Sequence, residues 1–233
     1  MGTLQPWIDH RIAEGRSAGT INHGLQVIRR ILKLAVGRWR DENGLTWLAT
    51  MPEIVFLSNR NKRKPYPLTW AEQDRLFAEL PEHLRAMALF AVNTGCRDGE
   101  ICSLQWAWEV PVKPLATSVF IVPGEAVKNG ADRLVVLNAN AADVVDSQRG
   151  RHPTHVFAYR GQPVTRMLNS GWLSARKRAG LPDVRVHDLK HTYGRRLRAA
   201  GVGFEDRQDL LGHLSQRVTT HYSAAELGLS LIH

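Results

Sequence analysis

Residues 186–196 read VHDLKHTYGRR, and this short stretch contains two histidines, four residues apart, with a lysine between them. On a helix, His187 and His191 would lie next to each other on one face. Paired histidines at this spacing bind zinc in some proteases. Cationic side chains gathered in one place also bind anions such as phosphate. The stretch therefore leaves a choice between a metal site and an anion site.

The whole chain has the composition of an ordinary globular protein. Its 233 residues are 43% apolar, which suits one large domain or a small domain joined to a medium-sized one. No apolar run approaches the roughly 20 residues of a membrane-spanning helix, and the first residues lack the apolar stretch of a secretory signal. Cys96 and Cys102 are interpreted as core residues, which favours a reducing compartment and predicts a cytoplasmic protein.

The chain is strongly basic, with a formal net charge of +9 and a pI of about 10.1. Residues 1–64 carry 11 Lys and Arg against 5 Asp and Glu, a net of +6, and the remaining residues carry +3. This balance favours a polyanionic partner. A basic soluble protein without such a partner is the alternative that composition leaves open.

The spacing of apolar residues predicts an amphipathic helix over residues 20–40. The residues expected to face a core are Ile28, Ile31, Leu32, Ala35 and Trp39. Basic residues on another face either follow a nucleic-acid backbone or form a solvated surface. They are Arg29, Arg30, Lys33 and Arg40. The stretch 58–67, SNRNKRKPYP, is polar and interrupted by prolines, which predicts a basic linker that contains Lys62, Arg63 and Lys64.

The rest of the chain is predicted to be mainly α with a small antiparallel β-sheet, an α+β fold. Thr69 and Glu72 form a capping box at the start of one helix, and Pro81 begins another. Three short runs rich in β-branched residues predict strands, and residues 127–130 form a turn between the first two. The runs are 118–123, 133–138 and 155–159. The predicted domains are 1–60 and 68–233, joined by a linker at 61–67.

Five short motifs in the second domain contain residues suited to phosphate chemistry. They are TGCRDGE at 94–100, VKNG at 127–130, HDLKH at 187–191, LLGH at 210–213 and TTHY at 219–222. The side chains that they supply are Arg97, Lys128, His187, Lys190, His213 and Tyr222. Taken singly, these residues are usually a surface charge, a solvated hairpin lysine or a packed tyrosine. Only the order and spacing of the whole set indicate a function.

In this order the motifs resemble those of the tyrosine recombinases, the phage integrase family, over roughly residues 66–225. The family pattern T-G-x-R-x-G-E matches 94–100, and the R-x-V-x-L strand that follows the hairpin lysine matches 133–137. Two positions depart from the pattern. Lys190 stands where the family has its second arginine, and Tyr222 lies one place closer to its threonines than in many relatives.

The resemblance implies an anion site rather than a metal site around His187. The residue after it is Asp188, whereas the zinc motif H-E-x-x-H has a glutamate in that place. Family members use no metal and no other cofactor. His191 is expected to pack or orient the helix.

The resemblance also implies the chemistry, which is site-specific cleavage and rejoining of DNA without ATP. Tyr222 would attack phosphorus and form a 3′-phosphotyrosyl bond that stores the bond energy. Lys128 would protonate the leaving 5′-oxygen, and His187 would assist proton transfer at the tyrosine. The negative charge of the transition state would be stabilised by Arg97, Lys190 and His213.

The partners implied by the resemblance are double-stranded DNA attachment sites, a homotetramer assembled on DNA, and accessory DNA-bending proteins, in the nucleoid of a bacterium. Residues 1–60 would be a partial core-binding domain, either a short one or one truncated at its start. Lysine keeps the charge of arginine but loses its bidentate fork. Lys190 therefore leaves open a weakened or inactive relative that acts only as a DNA-binding protein.

Overall fold

The computed structural model describes residues 4–58, 63–113, 117–127 and 130–212. The chain forms two compact units, Met1–Lys64 and Pro65–His233. This division falls inside the stretch predicted as a linker, and the identity of the first unit as a core-binding domain stays a prediction. No helix in the described ranges is long and apolar enough to cross a membrane.

The described residues of the N-terminal unit include two helices, which pack around a small apolar core. Helix α1 spans Gln5–Ala13 and helix α2 spans Ala18–Gly37. The hydroxyl of Ser17 caps α2, because it accepts a hydrogen bond of 3.2 Å from the backbone N–H of Thr20. The buried core residues are Ile8, Ile21 and Leu25, with Ile54, Phe56 and Leu57 packed against them.

The apolar face of α2 is only partly buried. Ala35 lies in the interior as predicted. Ile28 and Leu32 are half-buried. Ile31 is 46% exposed and Trp39 is 37% exposed, so the prediction that these two face a core is wrong. Helix α2 ends at Gly37, which places Trp39 beyond the helix, where its ring lies 5.1 Å from that of Trp47.

Helices dominate the described part of the second unit. They are α3 (Trp70–Glu79), α4 (Glu82–Thr94), α5 (Asp98–Cys102), α6 (Ala139–Gln148), α7 (Ser170–Arg178), α8 (Val186–Ala199) and α9 (Phe204–Leu210). The predicted capping box is present at α3, where the side chains of Thr69 and Glu72 each accept a bond from the other's backbone N–H. Helix α4 packs against both α6 and α8, so it occupies the centre of the unit.

Two small antiparallel sheets accompany these helices. The first has the order β1 (Glu109–Val112), β2 (Thr117–Val122) and β3 (Arg133–Val136), and the second pairs β4 (Ala158–Tyr159) with β5 (Gln162–Pro163). The strands predicted at 118–123 and 133–138 are β2 and β3, whereas the one predicted at 155–159 is only two residues long. Strand β1 was not predicted, because Pro111 interrupts its strand pattern.

Large aromatic side chains join the helices to the sheets. Four of them are fully buried: Phe90 of α4, Phe120 of β2, Trp172 of α7, and Phe157, which precedes β4. The rings of Phe90 and Phe157 meet edge to face, with centroids 5.3 Å apart. The predicted fold class, mainly helical with a small antiparallel sheet, is confirmed. This core holds α4 and α8 in place, and these two helices position the candidate site.

Candidate active site

Arg97 is placed by a sharp turn at the end of α4. Gly95 ends that helix with a φ of +63°, and a Cβ atom there would lie 2.5 Å from Cδ1 of Tyr193. The turn therefore requires glycine, which has no Cβ and adopts positive φ without strain. Arg97 follows two residues later as the capping residue of α5. Its backbone is thus fixed by the ends of two helices.

The carboxylate of Glu100 orients Arg97. Its Oε1 accepts a bond of 2.6 Å from Arg97 Nη1, and its Oε2 accepts one of 2.9 Å from the Arg97 backbone N–H. Burial opposes ionisation of Glu100, but Arg133 and the bonds from Arg97 outweigh burial and lower its pKa. The other arm of Arg97, Nη2, lies 3.5 Å from the carbonyl oxygen of Gly212. The guanidinium therefore has a fixed orientation.

Helix α8 presents two of the predicted site residues, His187 and Lys190, together with His191, which was expected to pack or orient the helix. Its first turn is fixed by Asp188, which is buried. One carboxylate oxygen of Asp188 accepts a bond of 2.9 Å from the backbone N–H of Arg185, and the other accepts one of 3.2 Å from Tyr66. An acidic residue in the first turn also interacts favourably with the positive end of the helix dipole.

Lys190 is buried against backbone carbonyl groups. Its Nζ donates to the carbonyl oxygen of Gly95 at 2.8 Å and to that of Leu211. Burial, together with the positive charges of Arg133 and Arg97, lowers the pKa of Lys190 to about 7. The amino group thus connects the turn at the end of α4 to the segment that follows α9.

His187 and His191 lie against each other, with ring centroids 4.7 Å apart and ring planes nearly perpendicular. Burial, followed by the positive charges of His191, Lys190 and Arg97, lowers the pKa of His187. A neutral imidazole at pH 7 is able to accept a proton. Among the residues that the structure describes, no three His, Cys, Asp or Glu side chains are grouped as metal ligands.

These side chains line one open cleft with a volume of about 820 Å³. Its cationic and imidazole groups are Arg97, His187, Lys190, His191, Arg198 and Arg207. The described residues that line the cleft include neither Asp nor Glu. Such a lining favours a polyanion, because Arg97, Arg198 and Arg207 contribute positive charge to it, while Glu100 pairs with Arg97 from outside the lining. The structure therefore brings Arg97, His187 and Lys190 together at a site with the charge that a phosphodiester needs.

Arg198 and Arg207 line the cleft although neither was predicted as a site residue. Arg198 lies on the same face of α8 as His187 and His191, because residues 4, 7 and 11 positions apart share a helix face. The spacing of these three residues in the sequence therefore indicates that they share one face of the helix. Arg207 lies on α9, and no local pattern indicates that α9 lies beside α8.

Arg133 is a third basic residue near the site that was not predicted as part of it. It lies in β3 and is 4% exposed, on the same buried face of the strand as Val135. Its Nη1 donates to Glu100, and its Nη2 lies 3.2 Å from the carbonyl oxygen of Gly95 and 3.3 Å from that of Leu210. A charged residue at an inward strand position was the available signal.

Four of the predicted residues, Lys62, Lys128, His213 and Tyr222, lie outside the described residues. Exposed in the N-terminal unit are Arg29, Arg30, Lys33 and Arg40. Arg63 is half-buried and Lys64 is exposed at the end of that unit. Exposure suits a contact with DNA and a solvated surface equally, so the DNA-binding role of these residues stays a prediction.

Replacing Lys190 with methionine is expected to change how the stability of the protein depends on pH. The pKa of Lys190 is about 7 in the folded protein, and the usual value of about 10.4 applies to the unfolded chain. Between these values the unfolded chain binds more protons, so the free energy of unfolding of the wild type rises with pH. The penalty for the buried charge is full below about pH 7 and is relieved toward about pH 10.

The measurement is urea unfolding of the wild type and Lys190→Met between about pH 6 and pH 9. The wild type should gain stability relative to the variant as the pH rises, since the methionine does not titrate. Parallel curves for the two proteins would contradict a buried lysine with a lowered pKa.

Comparison with known proteins identifies the family to which the chain is similar. The model of the phage integrase family matches residues 67–227. The integrase of Salmonella phage P22 is 31% identical over 215 residues, which cover 85% of this chain and 52% of that protein. The tyrosine recombinase XerC of Rhodospirillum centenum is 26% identical, over 96% of this chain and 67% of its own length. The chain thus spans about half the length of the phage P22 protein.

Solved structures show the same fold at low sequence identity. A lambda integrase dimer bound to a COC' core site superposes with a TM-score of 0.66 at 20% identity, over 96% of this chain and 62% of that one. The XerH recombinase in a post-cleavage complex with difH substrate gives a TM-score of 0.65 at 19% identity, over 93% and 65%. With the family match over residues 67–227, these findings establish that the chain belongs to the phage integrase family of tyrosine recombinases.

Proposed function

We propose that the chain is a site-specific DNA recombinase that cleaves and rejoins DNA through a 3′-phosphotyrosyl intermediate at Tyr222, without ATP. The observation that carries this proposal is the cleft in which Arg97, His187 and Lys190 meet without a lining carboxylate. Attack on a phosphodiester builds negative charge on the non-bridging oxygens, so fixed cations at that place lower the barrier. The family of the chain supports the same reaction.

Arg97 is the principal phosphate ligand in this proposal. Its Nη1 is held by Glu100, and its side chain remains 23% exposed where it lines the cleft. The planar guanidinium can offer two parallel N–H donors to one phosphate, which fixes the geometry as well as the charge. The other proposed donors to the phosphate are His213 and Lys190, and Lys190 would donate from the wall of the cleft.

Proton transfer is assigned to His187, Lys128 and Tyr222. The lowered pKa of His187 keeps its imidazole neutral near pH 7, so it is able to take the proton as the tyrosine attacks. Lys128 is proposed to protonate the leaving 5′-oxygen. The tyrosine then conserves the energy of the broken bond in the phosphotyrosyl link, which the free 5′-hydroxyl attacks on rejoining.

The substrate in this proposal is double-stranded DNA at attachment sites. The solved relatives include a lambda integrase dimer bound to a core site and a lambda integrase tetramer bound to a Holliday junction. We extend that assembly to this chain, as a homotetramer on DNA with accessory bending proteins.

Residues 1–60 act as a partial core-binding domain, with 61–67 as the linker and 68–233 as the catalytic domain. The basic residues proposed to contact DNA there are Arg29, Arg30, Lys33, Arg40, Lys62, Arg63 and Lys64.

A second candidate function is DNA binding without catalysis. The observation that favours it is Lys190, which replaces the family's second arginine and directs its Nζ to the carbonyl oxygens of Gly95 and Leu211. Loss of one donor to the transition state costs on the order of 10²–10³ in rate. A chain so weakened would still bind DNA through its basic surface.

The experiment that tests the proposal is a covalent trap with peptide mapping. The protein is incubated with nicked DNA from the regions that flank its own gene, and a denaturation-resistant protein–DNA adduct is sought. The proposal expects an adduct in which the tryptic peptide containing Tyr222 carries the nucleotide. Binding of the same DNA without any adduct would instead support the second candidate. An adduct on a different residue would contradict the assignment of the nucleophile.

A further inference from the structure

Arg133 is a buried arginine whose hydrogen bonds spread over two separate parts of the chain. It is 4% exposed, and its Nε has no hydrogen-bond partner among the described residues. Its Nη1 donates to Glu100, and its Nη2 lies 3.2–3.4 Å from the carbonyl oxygens of Thr94, Gly95 and Leu210. One guanidinium therefore contacts a carboxylate and three backbone carbonyl groups.

The two parts of the chain that Arg133 contacts both lead into proposed catalytic residues. Residues 94–95 precede Arg97, and residues 210–212 precede His213. Lys190 joins the same two segments, because its Nζ donates to one carbonyl oxygen in each. We call the contacts of Arg133 and Lys190 with residues 94–95 and 210–212 the clamp. The clamp fixes where the turn before Arg97 lies relative to the segment before His213.

Gly212 shows how closely the second segment approaches Arg133. Its φ is +59°, and a Cβ atom there would lie 2.8 Å from Nε and 2.9 Å from Cζ of Arg133. A side chain at this position would have to displace the guanidinium or the backbone. The glycine thus allows the segment before His213 to lie directly against the arginine.

The charges of the cluster point to a role in geometry rather than in stability. Three basic side chains, Arg97, Arg133 and Lys190, surround a group of carbonyl oxygens, and the carboxylate of Glu100 bonds to the two arginines. Burying a cation costs desolvation free energy, and apolar residues of similar volume often replace buried ion pairs without loss of stability. A buried arginine in this place is explained by the groups that it holds in position.

We infer that Arg133 is a positioning residue of the recombinase site, which orients Arg97 through Glu100 and aligns the segment before His213 with it. This inference rests on the proposed function, in which Arg97 and His213 stabilise the charge on the reacting phosphate. Arg133 is absent from the described lining of the cleft, so it acts through residues that do line it.

The structural part of the inference is tested without catalysis, by hydrogen exchange of the free protein. Arg133→Met keeps much of the side-chain length but removes the charge and all donors. We expect faster exchange of the backbone amides at 95–101 and 210–212, with unchanged exchange in α7, to which Arg133 makes no hydrogen bond. Unchanged exchange at 95–101 and 210–212 overturns the inference, because it would show that the contacts of Arg133 do not restrain these segments and so cannot position Arg97.

The catalytic part is tested by a double-mutant cycle on the first-order rate of adduct formation at saturating DNA. Arg133→Met is expected to lower this rate about 10–100-fold, as loss of a residue that orients a functional group does. In an Arg97→Lys background, where the guanidinium is already absent, the same change should lower the rate by clearly less than in the wild type, because only the alignment of the segment before His213 is left to lose. Losses that multiply in full would show that Arg133 acts independently of Arg97 and would overturn the inference.

Two further variants separate positioning from general destabilisation. Arg133→Lys restores the charge with fewer donors, so its rate should lie between those of the wild type and Arg133→Met. Arg149→Met removes a surface arginine that pairs with Glu109 and Asp146, and it should change neither the exchange at the clamp nor the rate. If the wild type forms no adduct, the proposed function fails, while the exchange result still decides whether Arg133 holds the two segments.

Discussion

Tyr222→Phe is expected to abolish the covalent adduct with DNA and to leave DNA affinity within about 3-fold of the wild type. Phenylalanine keeps the ring but lacks the oxygen that attacks phosphorus, so no phosphotyrosyl bond can form. Removal of a catalytic nucleophile costs about 10⁴-fold or more in rate. A denaturing gel measures the adduct, and a gel-shift titration of the same DNA measures affinity at a fixed salt concentration.

The matched control for this prediction is Tyr159→Phe. Tyr159 is 46% exposed in β4, its ring stacks on that of His83 with centroids 4.0 Å apart, and it is absent from the described lining of the cleft. Loss of its hydroxyl should leave adduct formation unchanged. An adduct that persists in Tyr222→Phe would show that another residue is the nucleophile. Loss in both variants would indicate that the assay reports folding rather than chemistry.

The local parts of the site could be predicted from the sequence because short-range rules determine them. A glycine two residues before Arg97 indicates the left-handed turn that ends α4, and the structure has φ +63° there. Thr69 and Glu72 indicate the capping box at the start of α3, and the structure has both of its hydrogen bonds. Each of these features depends on residues within one turn of each other, so the pattern in the chain is sufficient.

The contacts between distant segments could not be predicted in the same way. The sequence shows that Lys190 departs from the family pattern, but not that its Nζ lies on the carbonyl oxygens of Gly95 and Leu211. Alternation along β3 places Arg133 on the inward face without indicating its partners. Those partners are backbone groups, which every residue carries. Side-chain identity therefore gives no signal for them, and only the packing of α4, α8 and α9 determines where they lie.

The N-terminal unit shows the limit of hydrophobic periodicity. The pattern along α2 correctly indicates an apolar face, and Ala35 is buried on it. Periodicity does not indicate whether another element covers that face along its whole length. The small core formed around Ile21 and Leu25 covers the first turns, whereas Ile31 remains 46% exposed. An apolar residue at helical spacing is thus a candidate for burial, and the neighbouring elements decide the outcome.

Arg97→Lys is expected to lower the rate of adduct formation by about 10²–10³-fold with little change in DNA affinity. Lysine keeps the positive charge, so the long-range attraction of the cleft for DNA persists. It cannot replace the fork, in which Nη1 bonds to Glu100 while Nη2 lies 3.5 Å from the carbonyl oxygen of Gly212. A single ammonium group cannot bond to the Glu100 carboxylate and the phosphate in the way that the two arms of the guanidinium do. Single-turnover kinetics at saturating DNA separate the rate from the affinity.

Arg198→Lys provides the comparison that decides between charge and geometry. Arg198 lines the same cleft, but it is exposed, and we expect the same substitution there to change the rate less than about 3-fold. Similar losses in both variants would mean that the cleft requires arginine in general, which the presence of Lys190 in its wall argues against. Equal rates for Arg97→Lys and the wild type would mean that charge alone suffices at Arg97. The orientation imposed by Glu100 would then have no catalytic consequence, and the phosphate would have to be oriented by His213 and Lys128.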